Sequence, residues 1–136
     1  KLALNIDFCP TFLELAGAEG SPPVNFIEGS SLIRLLDGTA ASWRTDFLHE
    51  GWPVGHPWAS IREASWKYIE IPTFLQPPNP AFERELYDLA ADPLELNNLA
   101  ADQTYQQRVN DMSARIPLFR PFWPIDADPT LEDPEE

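Results

Sequence analysis

The residues with the richest side-chain chemistry stand together in one short segment, HEGWPVGH, residues 49–56. Two imidazoles and a carboxylate so close together could in principle bind zinc. A zinc site of the H-E-x-x-H kind needs both histidines on one face of a helix. Here glycines and a proline separate the histidines and prevent that helix. The segment is therefore interpreted as a loop at the end of a strand and not as a metal site.

Two interpretations of this loop stay open. In the first, its side chains contact a substrate by hydrogen bonding and stacking. In the second, Trp52 and Trp58 pack a domain interface and the histidines are solvated. The candidate substrate-binding residues are His49, Glu50, Trp52 and His56.

Cys9 is the only cysteine, which excludes a disulfide within the chain. It precedes Pro10, which favours the first turn of a helix. We expect Cys9 to be a small buried residue and not a nucleophile. No pair of adjacent aspartates is present that could hold a metal ion.

Arg62 and Lys67 are predicted to face each other on neighbouring strands. They could bind an anion, or they could form ion pairs with Glu63, Glu70 or Asp88. Ion pairs of this kind on a protein surface contribute little to stability.

Two short helices are predicted near the start, after a possible strand over residues 1–8. The first covers about Pro10–Ala16, and Gly17 is a natural residue just past its end. Ser30 can cap the second, which Gly38 ends. Its inward-facing side chains are predicted to be Leu32, Leu35 and Leu36.

Four runs after Trp43 are rich in aromatic and β-branched residues and are separated by turn residues: DFLHE, ASIRE, WKYIEI and ERELYDL. Their close spacing predicts an antiparallel meander. Alternation places Trp66, Tyr68 and Glu70 on one side of the third strand. The Pro-rich segment PTFLQPPNPAF predicts a loop before the fourth strand.

A terminal helix is predicted next, with Asp102 as its cap and Pro117 as its end. An apolar stripe on this helix should cover one face of the sheet, which makes the fold class α+β. The stripe consists of Tyr105, Val109, Met112 and Ile116.

The bulk composition limits the classes of partner. The 136 residues suit one domain, and the net charge of −13 argues against nucleic acid and against an anionic membrane surface. No apolar run is long enough to span a bilayer. The chain begins at Lys1 inside an apolar stretch, so we expect it to be the end of a longer polypeptide. Its compartment stays undetermined.

The segment ELYDLAADPLELNNL, Glu85–Leu99, connects the fourth strand to the helix. Asp92 and Pro93 fix a turn, and Asn97 and Asn98 can bond nearby backbone groups. The pattern E-L-Y-D-L-x-x-D-P-x-E-x-x-N-L closely resembles a segment near the end of sulfatases, members of the alkaline phosphatase superfamily. The matching residues are Glu85, Leu86, Tyr87, Asp88, Leu89, Asp92, Pro93, Glu95, Asn98 and Leu99.

Four further segments resemble sulfatase segments in the same order, so that the likeness covers residues 4–116. In EGSSLIRLLDG, Arg34 replaces the usual proline. The four segments are NIDFCPTFLELAG, EGSSLIRLLDG, WRTDFLHE and ASIREASWKYIEI.

The resemblance implies a C-terminal portion of a sulfatase. Residues 1–42 would be the last helical segment of the α/β catalytic domain and residues 43–116 a small subdomain with a four-stranded antiparallel sheet packed against a helix. Residues 117–136 would be a Pro-rich acidic tail. The missing N-terminal catalytic domain would then be the partner of this chain.

The resemblance also implies a chemistry for the full-length protein. Sulfatases cleave sulfate monoesters with a formylglycine nucleophile and a divalent cation, usually calcium, which polarises the sulfuryl group. The formylglycine motif is C-x-P-x-R or S-x-P-x-R, and Phe12 stands where its arginine would be needed after Pro10. This chain alone is therefore predicted to be inactive.

Other hypotheses remain at this point. The full-length protein could hydrolyse phosphonate monoesters or phosphodiesters, or the chain could be a non-catalytic interaction module or an inactive truncated product. An exposed apolar patch that promotes self-association is expected if the catalytic domain is absent. Its predicted members are Phe8, Phe12, Leu15, Leu32 and Leu36.

Overall fold

The computed structural model describes residues 1–18, 29–51, 57–73 and 81–119. The chain divides into two compact units, Lys1–Thr45 and Asp46–Glu136. Within the described residues, none of the helices has the length and apolar character needed to cross a bilayer.

The first unit begins with a 3-10 helix, Asn5–Asp7, which runs directly into helix α1, Phe8–Leu15. The predicted strand over residues 1–8 is therefore wrong. Asp7 and Leu4 exchange two hydrogen bonds, of 2.8 and 3.1 Å, and these close a helical turn. Gly17 follows α1 with φ +64°, the left-handed conformation that ends many helices.

Helix α2 is a single turn, Ile33–Leu36. Its start differs from the prediction, because the hydroxyl of Ser31, and not that of Ser30, accepts the backbone N–H of Ile33, at 3.3 Å. Leu36 is 82% exposed, so it does not face the interior of the described unit. Gly38, with φ +78°, follows the helix as predicted.

The second unit contains a four-stranded antiparallel sheet in the order β1-β2-β3-β4, which confirms the predicted meander. Pro72 and Phe82, predicted to lie in a loop, belong instead to β3 and β4. Pro72 lies beyond the residues paired with β2, so its missing N–H costs no bond to that strand. The strands are β1 Asp46–Gly51, β2 Trp58–Glu63, β3 Trp66–Thr73 and β4 Ala81–Asp88.

Two helices follow the sheet: α3, Gln106–Ser113, and α4, Ile116–Phe119. A 3-10 turn, Gln103–Tyr105, leads into α3, and the Asp102 side chain caps it at 2.8 Å from Thr104 N, as predicted. Pro117 does not end a helix but lies in the first turn of α4, where proline is tolerated.

The core lies between the sheet and these two helices. The predicted stripe is confirmed, since Val109, Met112 and Ile116 are buried and Tyr105 packs beside them. The fold class is α+β, as predicted. The buried apolar side chains are Ala59, Ile61, Tyr68, Leu86, Val109, Met112 and Ile116.

A buried polar group links this core to α3. Glu70, only 3% exposed, accepts hydrogen bonds from the Tyr68 hydroxyl at 2.6 Å and from the Ser113 hydroxyl at 2.5 Å. Burial and the bond to Glu70 raise the pKa of Tyr68, so its hydroxyl stays a donor. Arg115 adds ion pairs to Asp46 and Glu63, both at 2.5 Å.

Candidate functional site

The sheet has a second face, on the side away from α3. His49, Ser60 and Arg62 lie on it, because they alternate along β1 and β2 with the core residues. Lys67 is directly opposite Arg62 and shares this face. We call these four residues, His49, Ser60, Arg62 and Lys67, the second-face cluster.

His49 lies at the end of β1 with an exposed ring. Its imidazole meets the half-buried Trp58 ring edge-on, with 4.8 Å between centroids and 86° between planes. Gly51 permits this arrangement, because a Cβ there would come within 2.6 Å of the Trp58 ring. The pairing offers an exposed imidazole beside an aromatic edge, a combination suited to hydrogen bonding and stacking.

The other predicted substrate-binding residues are placed differently. Glu50 leaves β1 on the face opposite to that of His49, because neighbouring strand residues alternate. Trp52 and His56 lie outside the described residues. Substrate binding by this loop therefore stays a prediction.

The two opposed cations of the second-face cluster, Lys67 and Arg62, differ in their described partners. Lys67 Nζ lies 2.6 Å from Glu95 Oε2. Glu95 reaches it from the connection after β4, where its φ of +55° is unusual for a residue with a side chain. The Nη1 atom of Arg62 is buried and has no hydrogen-bond partner within the described ranges.

The predicted pairing of these cations with Glu63, Glu70 or Asp88 is wrong. Glu63 is engaged by Arg108 and Arg115 on the helix-covered side. Glu70 is on that side too, held by Tyr68 and Ser113. The sequence did not predict Glu95 as the partner of Lys67, because Glu95 reaches the sheet only through the backbone turn that precedes it.

The first unit is organised around Asp7, which is fully buried. Arg44 donates to both of its carboxylate oxygens, at 2.5 and 2.6 Å, and Ser30 N donates at 2.9 Å. Burial acts to raise the pKa of Asp7, but the bonds from Arg44, Ser30 and Leu4 outweigh it and hold the pKa at about 2. Asp7 is therefore a permanently charged anchor and not an acid catalyst at neutral pH.

Cys9 is exposed, so the prediction that it is buried is wrong. The only side chain of α1 that is buried is that of Thr11, which donates to the Asp7 carbonyl at 2.6 Å. Within the described ranges, no three side chains of His, Cys, Asp or Glu come together as metal ligands would. These described residues therefore do not fit a calcium site.

A cavity of about 430 Å³ lies in the first unit. Glu14, Arg34 and Trp43 line it, together with serine, threonine and alanine side chains. It contains none of the predicted substrate-binding residues.

The part of the segment Glu85–Leu99 that follows β4 folds back along the free edge of that strand. The side chain of Asn98 accepts from Leu86 N at 3.1 Å and donates to Arg84 O at 3.1 Å, while Leu99 N donates to Leu86 O at 2.9 Å. These bonds occupy backbone groups on the edge of β4. Asp88 and Asp92 cap the intervening turns through Ala90 N and Asn97 N.

A family profile described as "N-sulphoglucosamine sulphohydrolase, C-terminal" matches residues 1–120. The chain belongs to this sulfatase family. The sequence resemblance of Glu85–Leu99 and of the preceding segments is thereby confirmed.

Curated relatives agree with this assignment. The chain is 31% identical over 119 residues to an N-acetylglucosamine-6-O-sulfatase from Bacteroides thetaiotaomicron, covering 82% of this chain and 20% of that protein. It is 32% identical over 116 residues to a choline-sulfatase from Rhizobium meliloti, covering 81% and 21%. A multifunctional alkaline phosphatase superfamily protein from Trinickia caryophylli is 31% identical, covering 85% and 24%. The chain thus spans about a fifth to a quarter of the length of these curated relatives.

Solved structures show the same likeness. One, described as bound to its substrate D-glucosamine-2-N,6-O-disulfate, matches with a TM-score of 0.67 and 27% identity, over 93% of this chain and 25% of that one. The phosphonate monoester hydrolase of Agrobacterium radiobacter matches with a TM-score of 0.63 and 25% identity, over 85% and 24%.

Proposed function

We propose that this chain is the C-terminal part of a longer sulfatase-like hydrolase that cleaves sulfate monoesters. The observation that carries the proposal is the match of residues 1–120 to the C-terminal region of a sulfatase family. Two curated relatives named as sulfatases support it.

In this proposal the reacting groups come from the missing N-terminal catalytic domain. That domain would supply a formylglycine nucleophile and a divalent cation, expected to be calcium, which would polarise the sulfuryl group. This chain would supply the last helices of the catalytic domain and the small sheet-and-helix subdomain. The segment 49–56 would contact the part of the substrate other than the sulfate group, with His49 at the end of β1 as its described contact residue.

The first experiment is to measure the intact mass of the native gene product. A mass of several tens of kilodaltons would support the proposal, because these relatives are about five times longer than the stretch matched here. A mass near the 15.4 kDa of this chain would contradict it and favour a binding module or an inactive product.

Activity then tests the chemistry. The longer protein is expected to hydrolyse an aryl sulfate, and to lose that activity when calcium is chelated and regain it when calcium is returned. The 136-residue chain, assayed in parallel, is expected to hydrolyse nothing. Activity from this chain alone would show that the nucleophile lies within it.

A second candidate reaction has its own support. The likeness to a phosphonate monoester hydrolase, with a TM-score of 0.63, favours hydrolysis of phosphonate monoesters or phosphodiesters by the same superfamily. Comparing kcat/KM on an aryl sulfate and on an aryl phosphonate monoester separates the two reactions.

A further inference from the structure

Arg62 stands apart from the arginines around it. Its side chain is half-buried, its Nη1 atom is fully buried, and it has no partner within the part of the chain that the structure describes. By contrast, Arg84, Arg108 and Arg115 each reach a carboxylate of the sheet. A buried guanidinium nitrogen without an acceptor is unfavourable, so its presence points to an acceptor supplied from outside the described residues.

The surroundings of Arg62 strengthen this argument. Lys67 is directly opposite on β3, and like charges in that position repel. Glu95 compensates Lys67 alone. Ser60 is on the same face two residues away, is only 1% exposed, and its hydroxyl has no partner among the residues that the structure describes. The site therefore has two cations and a buried hydroxyl for a single described carboxylate.

We propose that Arg62, with Ser60 beside it, binds a carboxylate presented by the part of the longer polypeptide that lies outside this chain. A guanidinium and a carboxylate match geometrically through two parallel hydrogen bonds. The inference rests on the proposed function, because it requires that longer polypeptide. The chain covers only about a quarter or less of its relatives, which leaves ample sequence to supply the group.

Distance does not by itself separate a protein carboxylate from a bound anion at this site. Arg62 is four positions along β2 from Trp58, about 13 Å at the usual rise of a strand, but His49 is opposite Ser60 and so only one diagonal position from Arg62. In this proposal Arg62 is a positioning residue that fixes the sheet against the catalytic part, and the measurement with inorganic sulfate separates that role from binding of a free anion.

Thermal unfolding of Arg62→Met in two proteins tests the proposal. In the 136-residue chain, Tm is expected to stay unchanged or to rise, because an unpaired charge is removed. In the longer protein, Tm is expected to fall by about 5 °C, because a carboxylate is left buried without its partner. Arg62→Lys should retain part of the stability of the longer protein.

Arg108→Met is the matched control. Arg108 lies 3.2 Å from Glu63 and stacks on Trp66, all within this chain. Its loss should lower Tm in both proteins. An equal fall of Tm for Arg62→Met in both proteins, or no fall in the longer one, would overturn the proposal.

Adding inorganic sulfate tests the competing explanation, in which Arg62 binds a free anion and not a protein carboxylate. If sulfate raises Tm of the wild-type longer protein, sodium chloride at equal ionic strength does not, and Arg62→Met abolishes the effect, the site holds a free anion and the proposal is wrong. Failure of the proposed function looks different. The longer protein would then show the Arg62 effect on Tm but no hydrolysis of sulfate esters.

Discussion

At the scale of single residues, Asp7 shows how one carboxylate can organise a unit. Its oxygens join the start of the chain, the segment before α2 and Arg44, which is 37 residues away in sequence. Arg44 also stacks on Trp43, whose indole donates to the Leu2 carbonyl at 2.7 Å. A charged group in this position is stabilising only while every bond to it is made.

Asp7→Asn is expected to lower the free energy of unfolding of the first unit by about 3 kcal/mol, because Arg44 is left without its counter-ion. Denaturant unfolding measures the loss. Asp37→Asn is the control, because Asp37 is exposed and its described side-chain hydrogen bonds go to Thr39 nearby. Its effect should stay within about 1 kcal/mol. Comparable losses in both variants would contradict the role assigned to Asp7.

The same residue predicts a dependence on pH. The pKa of Asp7 falls from an ordinary value of 3.8 to about 2 on folding. Its contribution of about 2 kcal/mol is therefore complete above pH 4 and is lost as the pH falls from about 4 to 2. Unfolding measured across this range should show the loss in the wild type and a shallower dependence in Asp7→Asn. Identical pH profiles would contradict the assignment.

At the scale of elements, Asn98 takes the place of a neighbouring strand at the edge of β4. Its side chain bonds to Leu86 N, Ala100 N and Arg84 O, at 3.1, 2.9 and 3.1 Å. An exposed β-edge otherwise offers unpaired backbone groups to other chains. The Asn98 side chain therefore both blocks the edge and directs the chain towards α3.

Asn98→Ala is expected to lower the free energy of unfolding by about 2 kcal/mol, from the three lost bonds and the freed backbone groups. Asn97→Ala is a close control, because Asn97 is also exposed and makes its described bond through the backbone, to Asp92. Its effect should be within about 0.5 kcal/mol. Chemical denaturation of both variants provides the comparison, and equal losses would count against the edge role of Asn98.

Packing of α3 on the sheet gives a further prediction. Met112 is fully buried among the core residues, whereas Asn110 in the same helix is exposed. Met112→Ala should cost about 3 kcal/mol, because it leaves a cavity in the core. Asn110→Ala should change stability by less than about 0.5 kcal/mol. Thermal unfolding of the two variants measures the difference, and a small cost at Met112 would mean that α3 is not held by this core.

Sequence patterns predicted the elements whose causes are local. Alternation placed Tyr68 and Glu70 on one face of β3, and the helical period identified Val109 and Met112 as core residues. The sequence patterns did not predict side-chain exposure or ion pairing where these depend on distant parts of the chain. Cys9 is exposed because nothing in the described first unit covers that side of α1.

The candidate site was predictable only in part, for the same reason. The register of Arg62 against Lys67 followed from the strand pattern. The pairing of Lys67 with Glu95 did not, because it depends on a left-handed residue 28 positions later in the chain. The lack of a described partner for Arg62 is likewise a three-dimensional fact that no local spacing reveals.

At the scale of the whole molecule, apolar side chains on the first unit face solvent. Phe8 and Phe12 stack with 6.3 Å between ring centroids, yet they are 53% and 65% exposed. Leu15 and Leu36 are 69% and 82% exposed, as predicted for the apolar patch, whereas Leu32 is half-buried. Several large apolar side chains exposed on one unit often mark a site of protein contact.

Two opposing forces act on the 136-residue chain in solution. The apolar patch favours self-association, while the net charge of −13 opposes it by mutual repulsion. Because salt screens repulsion and leaves apolar attraction in place, we expect association to increase as the salt concentration is raised. Sedimentation velocity at low and high salt measures this, and a hydrophobic dye should bind in proportion to the exposed patch.

Substitution identifies the surface responsible for association. Phe12→Gln should weaken association and dye binding without loss of stability, because the ring is already largely in solvent. Leu118→Gln is the control, since Leu118 is 78% exposed but lies in α4, in the other unit. A wild-type chain that stays monomeric at high salt and binds no dye would show that the apolar patch does not promote self-association. Association that persists in Phe12→Gln but disappears in Leu118→Gln would place the contact on the second unit instead.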